Sequence, residues 1–415
     1  MNRYKRDQLA LAVTLALTAN YSIAEENATT GAKNSGLERI EVTARRTVEN
    51  LQKVPVSVTS LAASDIAESG ITDVTDVQQY ATNTTLQASR GTSSTLTAYV
   101  RGIGQQDPIW GYEPGVGVYV DDIYIARPQG GVMEILDVER IEVLRGPQGT
   151  LYGKNTIGGA LKYITRKMDG DNNFDIAAKF GDYGLNTYKA SGQLSLLSNS
   201  LYIGGAIADI NRDGFGKFKN DSAEANSVAA AQAGKENYNK DILASRLTIE
   251  YHPNDSLFFR FAYDKTIDDS NAKGGYRLNQ SVFTMQQPHN NLYDSDISLP
   301  VTNKVETSGI SFTIDWILSK QFNIKSVTSH REGDTLTAID FDNTVLKTAD
   351  VPAVFDDEQF TQEFQISYGG NGINAVGGAY YYTGDACGLF DLQAEMLAQA
   401  LSLPGYTQQV SGCTD

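Results

Sequence analysis

A glycine-rich stretch with a lysine, RGPQGTLYGKNTIGG (Arg145–Gly159), is the first place in this sequence where residue types and spacing could do chemistry. A loop that cradles nucleotide phosphates needs two spaced glycines, the second followed at once by lysine and then by a hydroxyl residue for the metal ion. Here Gly153 precedes Lys154, but Gln148 stands where the first glycine should be, and Asn155 replaces the Ser or Thr. The stretch fails the template twice, which argues against nucleotide chemistry.

The residues that follow the stretch also differ from a phosphate loop, which would open a long helix. Gly158 and Gly159 lead into the segment Ala160–Thr165, whose rough alternation of apolar and polar residues predicts a strand. The glycines are therefore expected to serve tight turns between strands.

Other catalytic signatures are missing from the sequence. The three histidines, His252, His289 and His330, show no metal-ligand spacing, and there is no G-x-S-x-G nucleophile motif. We therefore predict no catalytic residue, no metal site, no cofactor and no enzyme.

Composition and charge limit both the partners and the fold classes that this chain can have. The chain has 415 residues, 38 glycines, 22 tyrosines and a net charge of −16. Nucleic acid is excluded as a partner, because phosphate binding needs clustered Lys and Arg. The length predicts at least two units or one unusually large sheet, and the glycines and tyrosines favour many strands and turns.

The N-terminus has the order of segments that is typical of an export signal. Arg3, Lys5 and Arg6 precede an apolar run, Leu9–Ala19, and small residues follow up to Ala24. We predict a signal peptide over residues 1–24 and a flexible polar tether over 25–46. For an exported chain the two cysteines, Cys387 and Cys413, could form a disulfide that closes a surface loop.

Two regions with different patterns follow the tether. Residues 47–168 combine short strand candidates, one helical face and Gly-rich turns, which predicts a compact mixed domain. Residues 169–415 contain alternating segments of about ten residues, the length that a tilted strand needs to cross a bilayer. We predict nine such strands, at roughly 174–181, 185–197, 201–213, 241–251, 255–267, 305–318, 321–335, 358–368 and 373–383.

The connections between these strands test the interpretation. The links after the even strands are short, whereas those after the third, fifth and seventh are long. A meander through a membrane has short periplasmic turns and long outer loops, whereas a soluble β-sandwich has no reason to place its long loops after one strand parity. The pattern favours an antiparallel transmembrane β-barrel.

Several motifs resemble the TonB-dependent receptors of the Gram-negative outer membrane. The segment ERIEVLRGPQGTLYGKNTIGGALKYITRK (Glu139–Lys167) resembles that family's plug signature, VYVDDIYIARPQGGVMEILDVERI (Val118–Ile141) matches the same plug, and LERIEVTA (Leu37–Ala44) resembles the TonB box. The resemblance implies a mainly β fold with an α+β plug domain inside a barrel of about 22 strands.

The resemblance also implies partners and roles for particular residues. Ile40, Glu41, Val42, Thr43 and Ala44 would extend into the periplasm and add as a strand to a sheet of TonB, which works with ExbB and ExbD. The barrel would be surrounded by outer-membrane lipid. No nucleotide or prosthetic group is implied.

Further roles concern the plug. Charged residues among its strands would pair with the barrel wall and keep the plug docked: Arg101, Glu139, Arg140, Glu142 and Arg145. An irregular loop, Gly102–Gly115, would form a plug apex that binds the ligand, through Gln105, Gln106, Trp110 and Tyr112. The ligand expected by default is a ferric siderophore, with cobalamin, haem or an oligosaccharide as alternatives.

The sequence departs from the family in one respect. Nine strands cannot close a barrel, and open edges in hydrocarbon would leave backbone groups without partners. We therefore expect a fragment of a longer transporter. Two alternatives stay open: a secreted or surface β-rich glycan-binding protein, and an outer-membrane enzyme such as a lipase or protease.

Overall fold

The computed structural model describes residues 40–106, 109, 112–133, 136–168, 170–197, 200–370, 372–396, 401 and 407–411. The predicted signal peptide and most of the predicted tether lie outside the described residues. Within the described ranges, no helix is long and apolar enough to cross a membrane.

The first part of the described chain consists of short strands. They are β1 (Glu41–Val42), β2 (Glu49–Asn50), β3 (Ser57–Ala62), β4 (Thr84–Ala88), β5 (Leu96–Val100), β6 (Ile103–Gln105), β7 (Val116–Val120), β8 (Ile123–Ile125), β9 (Val138–Arg145) and β10 (Gly159–Thr165). Short helices occur at Leu51–Lys53, Ala63–Glu68, Val74–Gln79 and Gly149–Tyr152. Strands β3-β9-β10-β7-β8 form one sheet, β4-β5-β6 a second, and β1-β2 a hairpin.

The main sheet of this region is mixed. Strand β10 pairs in parallel with β7 and antiparallel with β9. All five residues of β7 are buried, as expected for a strand covered on both faces. A core of 19 buried residues, mostly Val, Ile and Leu, joins this sheet to the β4-β5-β6 sheet and the short helices. These elements form the mixed domain that the sequence predicts.

Some glycines of the opening stretch serve turns, whereas Gly149 begins a one-turn helix and Gly159 begins strand β10. Gly146 and Gly153 have φ angles of 98° and 78°, which L side chains rarely adopt. A Cβ added to Gly159 would lie 2.2 Å from the carbonyl oxygen of Leu144, because β9 and β10 approach closely there. A one-turn helix, Gly149–Tyr152, stands between the turns in place of a long helix.

The second part of the chain is dominated by one antiparallel sheet, which we call the wall. In the described residues it has ten strands: β11 (Asn173–Gly181), β12 (Leu185–Leu196), β13 (Leu201–Arg212), β16 (Lys240–Asn254), β17 (Leu257–Asp268), β18 (Lys304–Ile317), β19 (Phe322–Asp340), β20 (Asp350–Gly370), β21 (Ile373–Gln393) and β22 (Thr407–Ser411). A small hairpin of β14 (Gly216–Lys217) and β15 (Glu236–Asn237) lies in the connection after β13. A short 3₁₀ turn, Ala230–Gln232, lies in the same connection.

The nine predicted strands are confirmed, each paired with its sequence neighbours. Strand β22 is a tenth strand, beyond the nine that the sequence predicts. The long connections follow the predicted parity, at 213–239, 269–303 and 341–349.

The two faces of the wall differ in chemistry. Phe261 and Phe312, directly opposite each other in the ladder, are 37% and 41% exposed on the outer face. The inner face carries charged residues such as Arg246 and Arg260, which are nearly buried under the first domain. This apolar-out, polar-in alternation is typical of a strand that separates lipid from a polar interior.

Candidate functional site

The turn between β7 and β8 presents two carboxylates to the wall. Asp121 and Asp122 have positive φ angles of 48° and 71°, as a two-residue type I′ hairpin turn requires. Asp tolerates this conformation better than most L residues, because its short polar side chain bonds locally. Thr165 donates from its amide and its hydroxyl to Asp121, both at 2.8 Å, which fixes that carboxylate.

Asp121 pairs with two arginines of the wall. Arg246 of β16 donates to its Oδ2, and the Nη1 atom of Arg260 on β17 lies 3.7 Å away. Burial raises the pKa of the Asp121 carboxyl, but Arg260 and Arg246 outweigh burial and hold the pKa below its usual range. Asp121 is therefore charged at neutral pH and attaches the turn to the wall.

Asp122 lies at the centre of three cations. Its oxygens lie 2.9 Å from Arg46, 2.5 Å from Lys325 and 3.4 Å from Lys162. Burial raises the pKa of the Asp122 carboxyl, yet Lys325, Lys162 and Arg46 together hold that pKa well below its usual range. A carboxylate that is paired in this way stabilises the folded state above the ordinary Asp pKa, and this contribution is lost as pH falls through the depressed pKa.

Arg46 connects three parts of the molecule. It belongs to the segment before β2, its guanidinium pairs with Asp122 of the turn, and it lies 3.3 Å from Glu363 on strand β20 of the wall. It also stacks over the ring of Tyr152 at 4.4 Å. Its side chain is 5% exposed, so the network is shielded from solvent.

Uncharged contacts complete the attachment. Gln359 of β20 accepts from the amide of Ala126 at 2.9 Å and donates to the carbonyl of Tyr124 at 2.7 Å. The side chain of Gln359 thus pairs with the main chain at the end of β8, at Tyr124 and Ala126. Asp73 accepts from Lys240 of β16 at 2.8 Å.

Comparison with known proteins identifies the first domain. Residues 50–160 match the family described as the TonB-dependent receptor plug domain. The chain therefore carries a TonB-dependent receptor plug domain.

Individual relatives agree with the family match. The chain is 30% identical over 179 residues to the iron-regulated outer membrane virulence protein of Vibrio cholerae, covering 40% of this chain and 25% of that protein. It is 26% identical to the vitamin B12 transporter BtuB of Vibrio vulnificus over 40% of this chain and 26% of that protein. The chain thus spans about a quarter of the length of these relatives.

The fold extends the likeness beyond the plug domain. The crystal structure of the ferric yersiniabactin uptake receptor FyuA from Yersinia pestis superposes with a TM-score of 0.66 at 17% identity. The match covers 82% of this chain and 50% of that receptor. The plug domain and the wall together therefore have the fold of this part of a plugged receptor.

The residues that resemble a TonB box are folded against the plug domain and do not extend away from it. Strand β1 pairs with β2, and Val42 and Ala44 are 0% and 1% exposed in an apolar cluster that includes Leu144 and Tyr152. The polar side of the segment is held as well. Thr43 donates from its amide to Glu142 at 2.9 Å and accepts from Lys162 at 2.7 Å on its hydroxyl.

The five charged residues predicted to dock the plug against the wall have contacts elsewhere. Glu142 is 0% exposed and accepts from Thr43 and from Arg140, which also bonds Glu139. Arg145 donates to Ser57 and Thr59 of β3, and Arg101 is exposed. These contacts lie within the plug domain and its N-terminal segment, because β9 is an interior strand of the plug sheet. We assign docking to a different set of residues: Arg46, Asp73, Asp121, Asp122 and Ala126 facing Lys240, Arg246, Arg260, Lys325, Gln359 and Glu363.

A sequence signal for this set existed. The Asp-Asp pair lies between two strand candidates. The cations of the wall stand at inward-facing positions in strands whose apolar and polar residues alternate. The partners are far apart in the chain, however, so the sequence alone could not pair them.

Three of the four predicted ligand residues line one cavity. Gln105, Gln106 and Tyr112 line a common cavity with Arg127, and Tyr112 is 53% exposed. Trp110 lies outside the described residues. Their role in ligand binding stays a prediction.

A second plug loop, Ser89–Thr95, was not singled out from the sequence. The carbonyl of Gly91 accepts from the amide of Lys273 in the long connection after β17, at 2.9 Å, and Arg90 lies over the ring of Phe341 at 5.3 Å. This loop therefore reaches the end of the wall where the long connections are.

The cysteine prediction falls partly outside the described residues. Cys387 on β21 is disulfide-bonded. Cys413 lies outside the described residues.

Proposed function

We propose that this chain is part of a TonB-dependent transporter that takes up a ferric siderophore across the outer membrane. The plug domain family consists of receptors and transporters, so the chain is an outer-membrane protein and not an enzyme. The proposal extends this family assignment to a ligand class and to a mechanism.

The iron ligand is supported by the names of similar proteins. An iron-regulated protein of Vibrio cholerae and a ferric yersiniabactin receptor are among them, but so is a vitamin B12 transporter. Cobalamin is therefore the competing ligand that an uptake assay has to include.

The observation that carries the mechanism is the position of Arg46. It lies two residues after the TonB-box-like segment, and its guanidinium forms ion pairs with both Asp122 of the plug turn and Glu363 of the wall. TonB would bind the main chain of Ile40–Ala44 as an added strand, which requires that segment to leave the plug domain. A pull from TonB, powered through ExbB and ExbD, would then remove Arg46 from Asp122 and Glu363.

The consequence is local and electrostatic. Without Arg46, Asp122 loses one of its three cations, and Glu363 of the wall loses the arginine that pairs with it. Breaking one side of a buried ion pair costs about 3–5 kcal/mol, because an uncompensated charge remains. Force on the tether would therefore weaken the attachment of the plug at the point where a path has to open.

The test is ligand uptake by a Val42→Pro variant. Proline removes one backbone donor from the strand that TonB would add to its sheet. We expect uptake of siderophore loaded with radioactive iron to be lost, while binding of the same siderophore to de-energised cells is unchanged. Val42→Ala is the matched control, because it shortens the same side chain but keeps the N–H group.

Two results would contradict the proposal in different ways. Normal uptake by Val42→Pro would remove the TonB-box assignment. Uptake of vitamin B12 that depends on this protein, with no uptake of ferric siderophore, would replace the ligand and leave the mechanism in place.

A further inference from the structure

Three aspartates meet where the long connections leave the wall. Asp340 is the last residue of β19, Asp350 is the first residue of β20, and the two are directly opposite each other in the ladder. Asp342 lies in the connection between them. One carboxylate oxygen from each of the three lies within 4.8 Å of the others.

Two of the three aspartates are buried and Asp342 is half-buried, and none of them has an ion-pair partner within 4 Å among the described residues. Asp350 is 0% exposed and Asp340 is 7% exposed. Like charges directly opposite each other in a ladder are destabilising, and burial increases their repulsion. The lysine of the same connection, Lys347, has its ammonium 3.6 Å from Glu395.

A second observation indicates that a ligand is accommodated there. The Oδ1 atom of Asp350 is buried and has no hydrogen-bond partner, and the same holds for the Oε1 atom of Gln393. Gln393 lies directly opposite Asp350 on the other neighbouring strand, β21. Three adjacent strands therefore place Asp340, Asp350 and Gln393 side by side on one face, with two oxygens left without donors.

We propose that Asp340, Asp342 and Asp350 bind a divalent cation, and that this cation is Ca²⁺. The groups that converge are carboxylate oxygens, with no His or Cys among them, which suits a hard cation. Ca²⁺ accepts six to eight oxygens in flexible geometry, whereas Mg²⁺ demands a near-ideal octahedron at shorter distances. Two carboxylates fixed on strands and one on a connection match the less rigid requirement.

The same carboxylates hold a long connection of the wall. Ser298, in the 269–303 connection, donates from its amide to Asp340 at 3.0 Å and from its hydroxyl to Asp350. That connection also contacts the plug, through the bond from Lys273 to Gly91. Bound Ca²⁺ would remove the repulsion between the carboxylates and stabilise the end of the wall on which both the 269–303 connection and the Ser89–Thr95 plug loop rest.

The experiment uses the protein purified in detergent from outer membranes, first stripped with a chelator and then dialysed against radioactive Ca²⁺. We expect binding of about one Ca²⁺ per chain, with Kd of about 10⁻⁴ to 10⁻³ M as in extracellular modules. Both Asp350→Asn and Asp342→Asn should weaken binding on the order of tenfold or more. Asp356→Asn, an exposed residue on the same strand β20, is the matched control and should bind as the unchanged protein does.

A stability measurement accompanies the binding measurement. Ca²⁺ should raise the Tm of the unchanged protein and of Asp356→Asn, but not that of Asp350→Asn, and Mg²⁺ should raise it less. If Asp350→Asn does not fold, Asp342→Asn decides the binding test, because Asp342 is not part of a strand. Unaltered Ca²⁺ binding in the aspartate variants, no Ca²⁺ binding at all, or a larger effect of Mg²⁺ would each overturn the proposal. None of these results depends on ligand uptake, so the TonB mechanism is tested separately.

Discussion

At the scale of single residues, the attachment of the plug depends on two adjacent aspartates in a hairpin turn. Asp121 and Asp122 have distinct sets of cationic partners, arginines of the wall for Asp121 and a mixed set from the tether, plug and wall for Asp122. The sequence predicts a turn at this position from its residue types. It could not predict the attachment, because Arg46, Lys162 and Lys325 come from separate regions of the chain.

Neutralising Asp122 should release the tether from the plug domain. Asp122→Asn keeps the side-chain size and the tolerance of positive φ, but it leaves Arg46, Lys162 and Lys325 without their shared carboxylate. We expect the docked state to lose about 3–5 kcal/mol. The readout is the rate at which a thiol reagent labels Val42→Cys, a position that is 0% exposed in the docked state.

The matched control for this labelling experiment is Asp182→Asn, an exposed aspartate in the turn after β11. Labelling should be faster in the Asp122→Asn background than in the control at neutral pH. In the unchanged protein the contribution of Asp122 is present above about pH 4, the ordinary Asp pKa, and is lost as pH falls below it. Equal labelling rates in both backgrounds at neutral pH would show that Asp122 does not hold the tether.

At the scale of elements, the alternation of apolar and polar residues predicted the lipid-facing parts of the wall strands. It did not predict where β19 ends and β20 begins. Strand β19 was expected to end at residue 335, yet it continues to Asp340, and Ala338 and Ile339 within the extension are both buried. Strand β20 was expected to begin at 358 but begins at Asp350, and it contains Pro352. Residues 337–340 and 350–351 are buried one after another, so no alternation marks the two strand ends, and proline normally argues against a strand.

The lipid-facing side of the wall can be tested at one strand. Phe312 lies near the middle of β18 on the outer face, so Phe312→Lys would place a charge near the bilayer midplane. Such a substitution costs about 2–4 kcal/mol in membrane barrels. We expect much less protein in the outer-membrane fraction and loss of the heat-modifiable band on gels. Phe312→Leu, which stays apolar, should assemble normally, and equal assembly of the lysine variant would contradict the assigned outer face.

At the scale of the whole molecule, the fold was predictable because each face of the chain meets a different environment. Strand length and loop parity follow from crossing a membrane, and the glycine-rich plug signature follows from turns inside a small domain. The export signal stays a prediction. The site was less predictable, because it lies between two domains and needs the distance between residues such as Arg46 and Glu363. The sequence supplied the charges but not their pairing.

The two faces of the wall also decide between the membrane protein and the soluble β-sandwich that the sequence left open. A secreted sandwich buries its apolar residues between two sheets, but here Ile310, Phe364 and Ile366 are 47%, 41% and 42% exposed on the outer face, while the inner face is polar and covered by the plug domain. Exposed apolar surface of this kind requires lipid or detergent. We therefore expect the purified protein to stay monodisperse in detergent and to aggregate when detergent is removed, as measured by light scattering. A chain that stays monodisperse without detergent would have to cover these residues in another way, and the assignment of the outer face to lipid would be wrong.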